Sequence, residues 1–173
     1  DTTYHVIGID NSTFSNCSSL ESIRISNNIK KINSFTFQNC VSLSCVILPD
    51  SLERIEKNAF QGCTSLSSVL IPNTVKVIEQ SAFEYCLNLS SITIPENVIN
   101  IGRYTFYGCL LDTTNFINNS TLNAAQNKYW GIRFRQDISK KSQKTPKQEN
   151  LKIDTIQIHA PSLEDYCKTN SNY

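Results

Sequence analysis

Phenylalanine and cysteine return together every 23 residues, at Phe14/Cys17, Phe37/Cys40, Phe60/Cys63, Phe83/Cys86 and Phe106/Cys109. No insertion breaks the register across these copies. A fixed period of this length marks a chain wound into stacked coils, each touching only its neighbours. Other columns keep the same phase. Leu20, Leu43, Leu66 and Leu89 form one, and Ile23, Val46, Val69 and Ile92 the next. Two residues further on come Ile25, Leu48, Ile71 and Ile94. Then follow Ile29, Leu52, Val75 and Val98, and after them Ile32, Ile55, Ile78 and Ile101, with Val6 and Ile9 extending these two columns backward. Pro49, Pro72 and Pro95 stand after the Ile-x-Ile step, with Ser26 in the first copy.

The Ile-x-Ile step has period 2, so it reads as a strand with both apolar residues facing inward. Proline ends that strand because it cannot donate to a ladder. The Val-x-x-Ile return leg is too short for a helix and reads as extended segments or 3₁₀ turns, with a short turn around Ala59-Phe60 and Ala82-Phe83. One unit cannot bury these columns alone. Stacking units at about 4.8 Å per strand buries them as continuous rows, and each buried phenylalanine then contributes about 1.5–3 kcal/mol. The expected fold is an α/β solenoid: a right-handed coil with one parallel sheet on its concave face, little regular helix and a short C-terminal cap helix.

Leu-x-x-Ile-x-Ile-Pro, then Val-x-x-Ile, then Ala-Phe-x-x-Cys resembles the leucine-rich repeat, and most closely the BspA-like subfamily also described from treponemal proteins. Residues 41–63 and 64–86 match best, and the likeness runs over about residues 6–109. The resemblance implies a surface or secreted protein that adheres to host cells or matrix glycoproteins such as fibronectin. An intracellular scaffold binding a protein partner is the alternative.

After Cys109 the register breaks: Leu111 stands one residue early, and Asn115 replaces the strand isoleucine. The reading is a solenoid over 1–125 with a degenerate last coil, then a capping region over 126–173. Within the latter, 139–150 is a polar, lysine-rich loop. Tyr129-Trp130-Gly131 is expected to cover the end of the core. Ile153, Ile156 and Ile158 restore a strand spacing, Pro161 follows, and Ser162 and Asp165 can start a cap helix with Leu163 and Tyr166 facing the last coil. This end too is similar to BspA-like domains.

Repetition changes what the seven cysteines mean. The five on the column read as buried free thiols acting as small hydrophobes. Side chains in register point the same way, so bridging neighbours demands distortion. No Cys-x-x-Cys is present, and a row of thiols is not a tetrahedron, so no metal site is expected. Cys45 and Cys167 stand off the column; they are either bridged to each other, from sheet face to end, or free.

Little else suggests chemistry. His5 and His159 lie near opposite ends of the repeat, and Glu53, Glu56 and Glu79 fall on the return leg in positions that read as solvated. No glycine-rich phosphate loop exists. No catalytic residue, metal or cofactor is expected. The formal net charge of +1 gives no reason to expect nucleic acid. No apolar run approaches the roughly 18 residues a membrane helix needs. The chain has no methionine and begins at Asp1, which marks it as processed or as part of a longer chain. The absence of a leader therefore says nothing about secretion.

A partner is expected on the concave sheet, because the inward columns form the core. The outward rows are Ser22-Cys45-Ser68-Ser91 and Arg24-Ile47-Leu70-Thr93, with Phe116 extending the second. Ile47 and Leu70 stand side by side as an apolar pair in a polar face. The Lys140–Lys147 cluster reads as a solvated loop. Candidate N-glycosylation sequons occur at Asn11, Asn16, Asn88, Asn118 and Asn119. Those at Asn118 and Asn119 overlap, so at most one of the two is used.

Overall fold

The computed structural model describes residues 8–111, 116–122 and 127–132. It is a parallel β-solenoid. Two strand series alternate along the chain. The Ile-x-Ile steps form β1 (Ser22–Arg24), β3 (Cys45–Ile47), β5 (Ser68–Leu70), β7 (Ser91–Ile94) and β9 (Phe116–Asn118). The return legs form β2 (Lys31–Ile32), β4 (Arg54–Ile55), β6 (Val77–Ile78) and β8 (Asn100–Ile101).

All pairings are parallel. β2-β4-β6-β8 make one continuous sheet, and the first series pairs as β1-β3 and as β5-β7-β9. β3 and β5 lie side by side without a strand ladder between them. The return leg is therefore extended, as its length requires, but it builds a second sheet rather than loose segments. The expected parallel sheet of Ile-x-Ile strands is present in two pieces, and a further sheet forms on the return legs, because every coil repeats the same extended step one strand spacing above the last. The one helix among the described residues is α1 (Asn127–Trp130).

The apolar columns converge on a single core. Phe37, Phe60, Phe83 and Phe106 are fully buried, as are Leu43, Leu66 and Leu89 and Ile32, Ile55 and Ile78. The phenylalanine rings stack face to face from coil to coil, with centroids 5.3, 5.2, 5.2 and 6.0 Å apart from Phe14 to Phe106.

The turn carrying this column has an order of its own. Backbone N–H groups of Phe35, Phe37 and Asn39 donate to the next coil, at Lys57, Ala59 and Gln61. Those of Thr36, Gln38 and Cys40 donate three residues back within their own coil. The pattern repeats at Asn58, Phe60 and Gly62 and at Ser81, Phe83 and Tyr85. Alternate amides can face along the solenoid axis only if the backbone reverses hand twice per turn. Two columns accordingly have positive φ: Ser12, Phe35, Asn58, Ser81 and Tyr104, and Asn16, Asn39, Gly62, Tyr85 and Gly108. For bulky residues such as Phe35, Tyr85 and Tyr104 this costs on the order of 1–3 kcal/mol each, which the stacked turns must offset.

Trp130 closes the C-terminal end as the spacing predicts. It is 1% exposed and belongs to the core cluster. Its carbonyl accepts from Phe106 N–H at 2.8 Å, and that of Tyr129 accepts from Tyr104 N–H at 2.9 Å. Gly131 has φ +80°, and a Cβ there would meet Tyr107 Cβ at 2.7 Å. The expected cap helix after Ser162, the returning strand at 153–158 and the lysine-rich stretch 139–150 lie outside the described residues.

A candidate interaction face on the Ile-x-Ile sheet

Strand alternation divides the first sheet as the period-2 pattern requires. Val46, Val69 and Ile92 point into the core. Their neighbours face outward in register: Ser22 beside Cys45, Arg24 beside Ile47, Ser68 beside Ser91, and Leu70 beside Thr93. All eight expected face residues thus come together on one surface. Leu70 is 47% exposed, and Ile47 and Thr93 are half-buried.

Phe116 is corrected. β9 pairs with β7 so that Ile92 lies beside Phe116 and Thr93 beside Ile117. The spacing to the previous strand is one residue longer than the repeat. A one-residue slip reverses every side chain of a strand, so Phe116 turns inward and meets Phe106 edge to face at 6.3 Å. Ile117 takes the outward position and is 43% exposed. The outward row is therefore Arg24-Ile47-Leu70-Thr93-Ile117.

The cysteine column behaves as packing. Cys40, Cys63, Cys86 and Cys109 are buried and free as expected, but Cys17 is a correction: it is free and exposed, standing in the first copy of the column. Each buried thiol donates to the phenylalanine carbonyl of the preceding coil: Cys40 to Phe14, Cys63 to Phe37, Cys86 to Phe60 and Cys109 to Phe83, at 3.0–3.2 Å. Burial pushes the thiols of Cys40, Cys63 and Cys86 up from the ordinary value, and that of Cys109 up to about 12. These groups are protonated at neutral pH, so they are poor nucleophiles and poor metal ligands. Cys45 differs: it is disulfide-bonded.

The return-leg carboxylates are partnered rather than simply solvated. Lys30 meets Glu53 at 3.3 Å, Lys31 meets Glu56 at 3.9 Å and Arg54 meets Glu79 at 2.7 Å, each pair bridging successive coils. Partial exposure keeps each contribution within about 1 kcal/mol. Of the sequon asparagines, Asn11, Asn16, Asn88 and Asn119 are exposed. Asn118 is held: its Oδ1 accepts from Ser120 N–H and Oγ–H, and its Nδ2 donates to Leu122 O. His5 and His159 lie outside the described residues.

A second surface was not legible in the repeat. Tyr85, Tyr104 and Tyr129 are 47, 37 and 65% exposed. Arg103 lies over the Tyr104 and Tyr129 rings at 4.7 and 5.7 Å. Tyr107 packs edge-on against Tyr85 and Tyr104. These residues occupy variable positions of the turn, and only the stacking of the last coils groups them.

Parallel strands, stacked phenylalanines and a repeated Leu-x-x-Ile-x-Ile-Pro step define a leucine-rich-repeat solenoid. The chain belongs to the BspA type leucine rich repeat family, whose model matches residues 3–129 in 6 copies. It is similar to several solved structures, two of which follow. A T. pallidum leucine rich repeat protein is 29% identical, covering 61% of this chain and 50% of its own, with a TM-score of 0.58. A leucine-rich repeat protein from Bacteroides ovatus is 34% identical, covering 66% of this chain and 29% of its own, with a TM-score of 0.62. The chain thus spans half or less of the length of these relatives. No curated protein matches it. Repeats of this family generally serve as protein-interaction modules.

Proposed function

We propose that this chain is the adhesive module of a surface or secreted protein, binding a host or matrix glycoprotein through the outward face of the Ile-x-Ile sheet. The observation that carries this reading is the outward row itself. The inward columns are committed to the core, yet Leu70 and Ile117 remain 47 and 43% exposed on either side of Thr93. Apolar side chains at the centre of a polar rim are the usual composition of a binding patch. The reading includes no catalytic role; Cys40, Cys63, Cys86 and Cys109 are buried, with their thiols pushed up by desolvation.

The disulfide at Cys45 favours an oxidising location over the alternative, a scaffold in a reducing cytoplasm. The adhesive assignment itself draws on the family. Immobilised fibronectin tests it. The chain should bind, and L70D combined with I117D should weaken binding at least about tenfold, the usual effect of charging the centre of a patch, while the melting temperature holds. Binding that survives the double substitution would move the site elsewhere, with the tyrosine surface around Arg103 the next to test. Absence of binding to fibronectin, collagen and laminin alike would remove the adhesive reading.

A further inference from the structure

Exposed tyrosines and an arginine gather on the turns of the last coils. The Arg103 guanidinium lies 4.7 Å from the centroid of the Tyr104 ring and 5.7 Å from that of Tyr129. Tyr85, Tyr104 and Tyr129 are all exposed. Tyr107, half-buried, stands nearly perpendicular to Tyr85 and to Tyr104, at interplanar angles of 80 and 73°. We propose that this cluster is a glycan-binding site for a terminal sialic acid, with Arg103 holding the carboxylate and the tyrosine rings holding the sugar. The cluster lies off the Ile-x-Ile sheet, and the proposal does not rest on the adhesive reading of that sheet.

Charge selects an anion. On the return legs, cations and carboxylates pair from coil to coil, Lys31 with Glu56 and Arg54 with Glu79. One coil on, Val77 and Gly102 stand at the repeat positions of Arg54 and Glu79, so the lattice stops. No side chain fits at 102, where a Cβ would run into the backbone of Glu79 and Gln80. Arg103 is exposed, and among the described residues no carboxylate lies within ion-pair distance of it. The acidic side chains of the preceding coil are engaged in the opposite direction. Glu79 accepts from Arg54 and Glu84 from Gln61, both one coil further back.

The rings select a sugar acid among anions. Held over two rings, a guanidinium still has N–H donors for a carboxylate, which it can grip with two parallel bonds. An exposed tyrosine ring offers a negative π-face to the C–H side of a pyranose or to an N-acetyl methyl, and its hydroxyl reaches sugar hydroxyls. One guanidinium suits one carboxylate at a chain end. A sulfated polysaccharide needs a row of cations, and Gln80, at the position of Arg103 one coil back, supplies none. Sialic acid combines the terminal carboxylate, the N-acetyl group and the hydroxyls that these groups fit.

Saturation-transfer NMR of the full chain with sialyllactose and with lactose tests the site, independently of any fibronectin result. Sialyllactose should bind with a Kd on the order of 1 mM, as a small exposed contact allows, and lactose should not bind. R103Q should abolish the signal. R103K should weaken binding severalfold, because an ammonium cannot form the two-bond grip. Y129A should also weaken it severalfold; it removes the ring but keeps the carbonyl that accepts from Tyr104 N–H. K57Q, at the same repeat position as Arg103 two coils back, should leave binding unchanged. Equal signals from lactose and sialyllactose, no binding of sialyllactose, or binding that survives R103Q overturns the proposal. Equal binding of glucuronic acid or of an acidic peptide overturns it too, because the surface would then be a general anion site. Circular dichroism melts report the folding of each variant, and R103K with Y129A decides the matter should R103Q fold poorly.

Discussion

Removing one ring from the middle of the phenylalanine ladder should cost far more than removing the ring at its start. Phe60 is fully buried and stacks on Phe37 and Phe83, each at 5.2 Å. Phe14 has the same repeat position but is only partly buried and, among the described residues, stacks on Phe37 alone, at 5.3 Å. In F60A the lost transfer free energy adds to the cost of a cavity closed on both sides, about 3–5 kcal/mol in all. In F14A only the partial burial of the ring is lost, about 1–2 kcal/mol. A second consequence follows from the one-dimensional fold. Coils cohere through nearest-neighbour interfaces, so a weakened middle should let the two ends melt separately. The single tryptophan reports this, because Trp130 is buried at the C-terminal end. Urea unfolding followed by far-ultraviolet circular dichroism reads all coils, and tryptophan fluorescence reads the last. The two curves should coincide in the parent chain and in F14A, and separate in F60A. Equal losses in F14A and F60A would refute the ladder as the source of stability. Coincident curves in F60A would refute nearest-neighbour cohesion.

Three further outcomes follow from the turn column. The Cys109 thiol is pushed up to about 12, so its neutral form stabilises the fold fully below the unfolded thiol value near 8.5, and that contribution is lost as pH rises toward 12. The unfolding free energy from urea titrations at rising pH should fall at up to about 1.4 kcal/mol per pH unit per thiol, and C109A should flatten the slope; an unchanged slope would show that another group sets it. Asn58 has φ 57° and is 6% exposed with its Oδ1 unpartnered; glycine accepts that backbone freely and removes the orphan acceptor, so N58G should be neutral or more stable by about 1 kcal/mol, and a clear loss in thermal melts would contradict this. Of the free cysteines among the described residues, a thiol reagent under native, non-reducing conditions should label Cys17 alone, with Cys40, Cys63, Cys86 and Cys109 following only in denaturant.

The sequence was most legible where one physical demand repeats in every coil. The Ile-x-Ile step, the phenylalanine column and the cysteine column satisfy the same geometry from the second copy to the fifth, so periodicity alone places them on strand, core and core there; Phe14 and Cys17 of the first copy are only partly buried and exposed, respectively. The turn was less legible because its demand is conformational. Positive φ at Asn16, Asn39, Gly62 and Gly108 falls on residue types that accept it, but the same columns hold Phe35, Tyr85 and Tyr104. No residue preference announces those positions; the coil-to-coil hydrogen bonds impose them. The second sheet was hidden for a similar reason. Two-residue strands such as Arg54–Ile55 are too short to show alternation, and become strands only when a neighbouring coil supplies partners.

The last coil shows how such a limit reaches function. Counting by the repeat puts Phe116 in the outward row, beside Ile47 and Leu70. The β7–β9 register moves the chain by one residue, and core and face exchange members. An aromatic ring then closes the phenylalanine ladder edge to face, and Ile117 extends the exposed row past Thr93. The physical driver is the fit at the end of the stack. Phe106 lacks a stacked ring on its C-terminal side, and Phe116 together with Trp130 supplies the cover that a sixth phenylalanine would have given. The same slip that caps the core therefore puts Ile117 in the candidate binding face in place of Phe116. That is why I117D, rather than a substitution at Phe116, separates binding from stability: a charge at 117 stays in solvent, whereas a charge at 116 would be forced against Phe106.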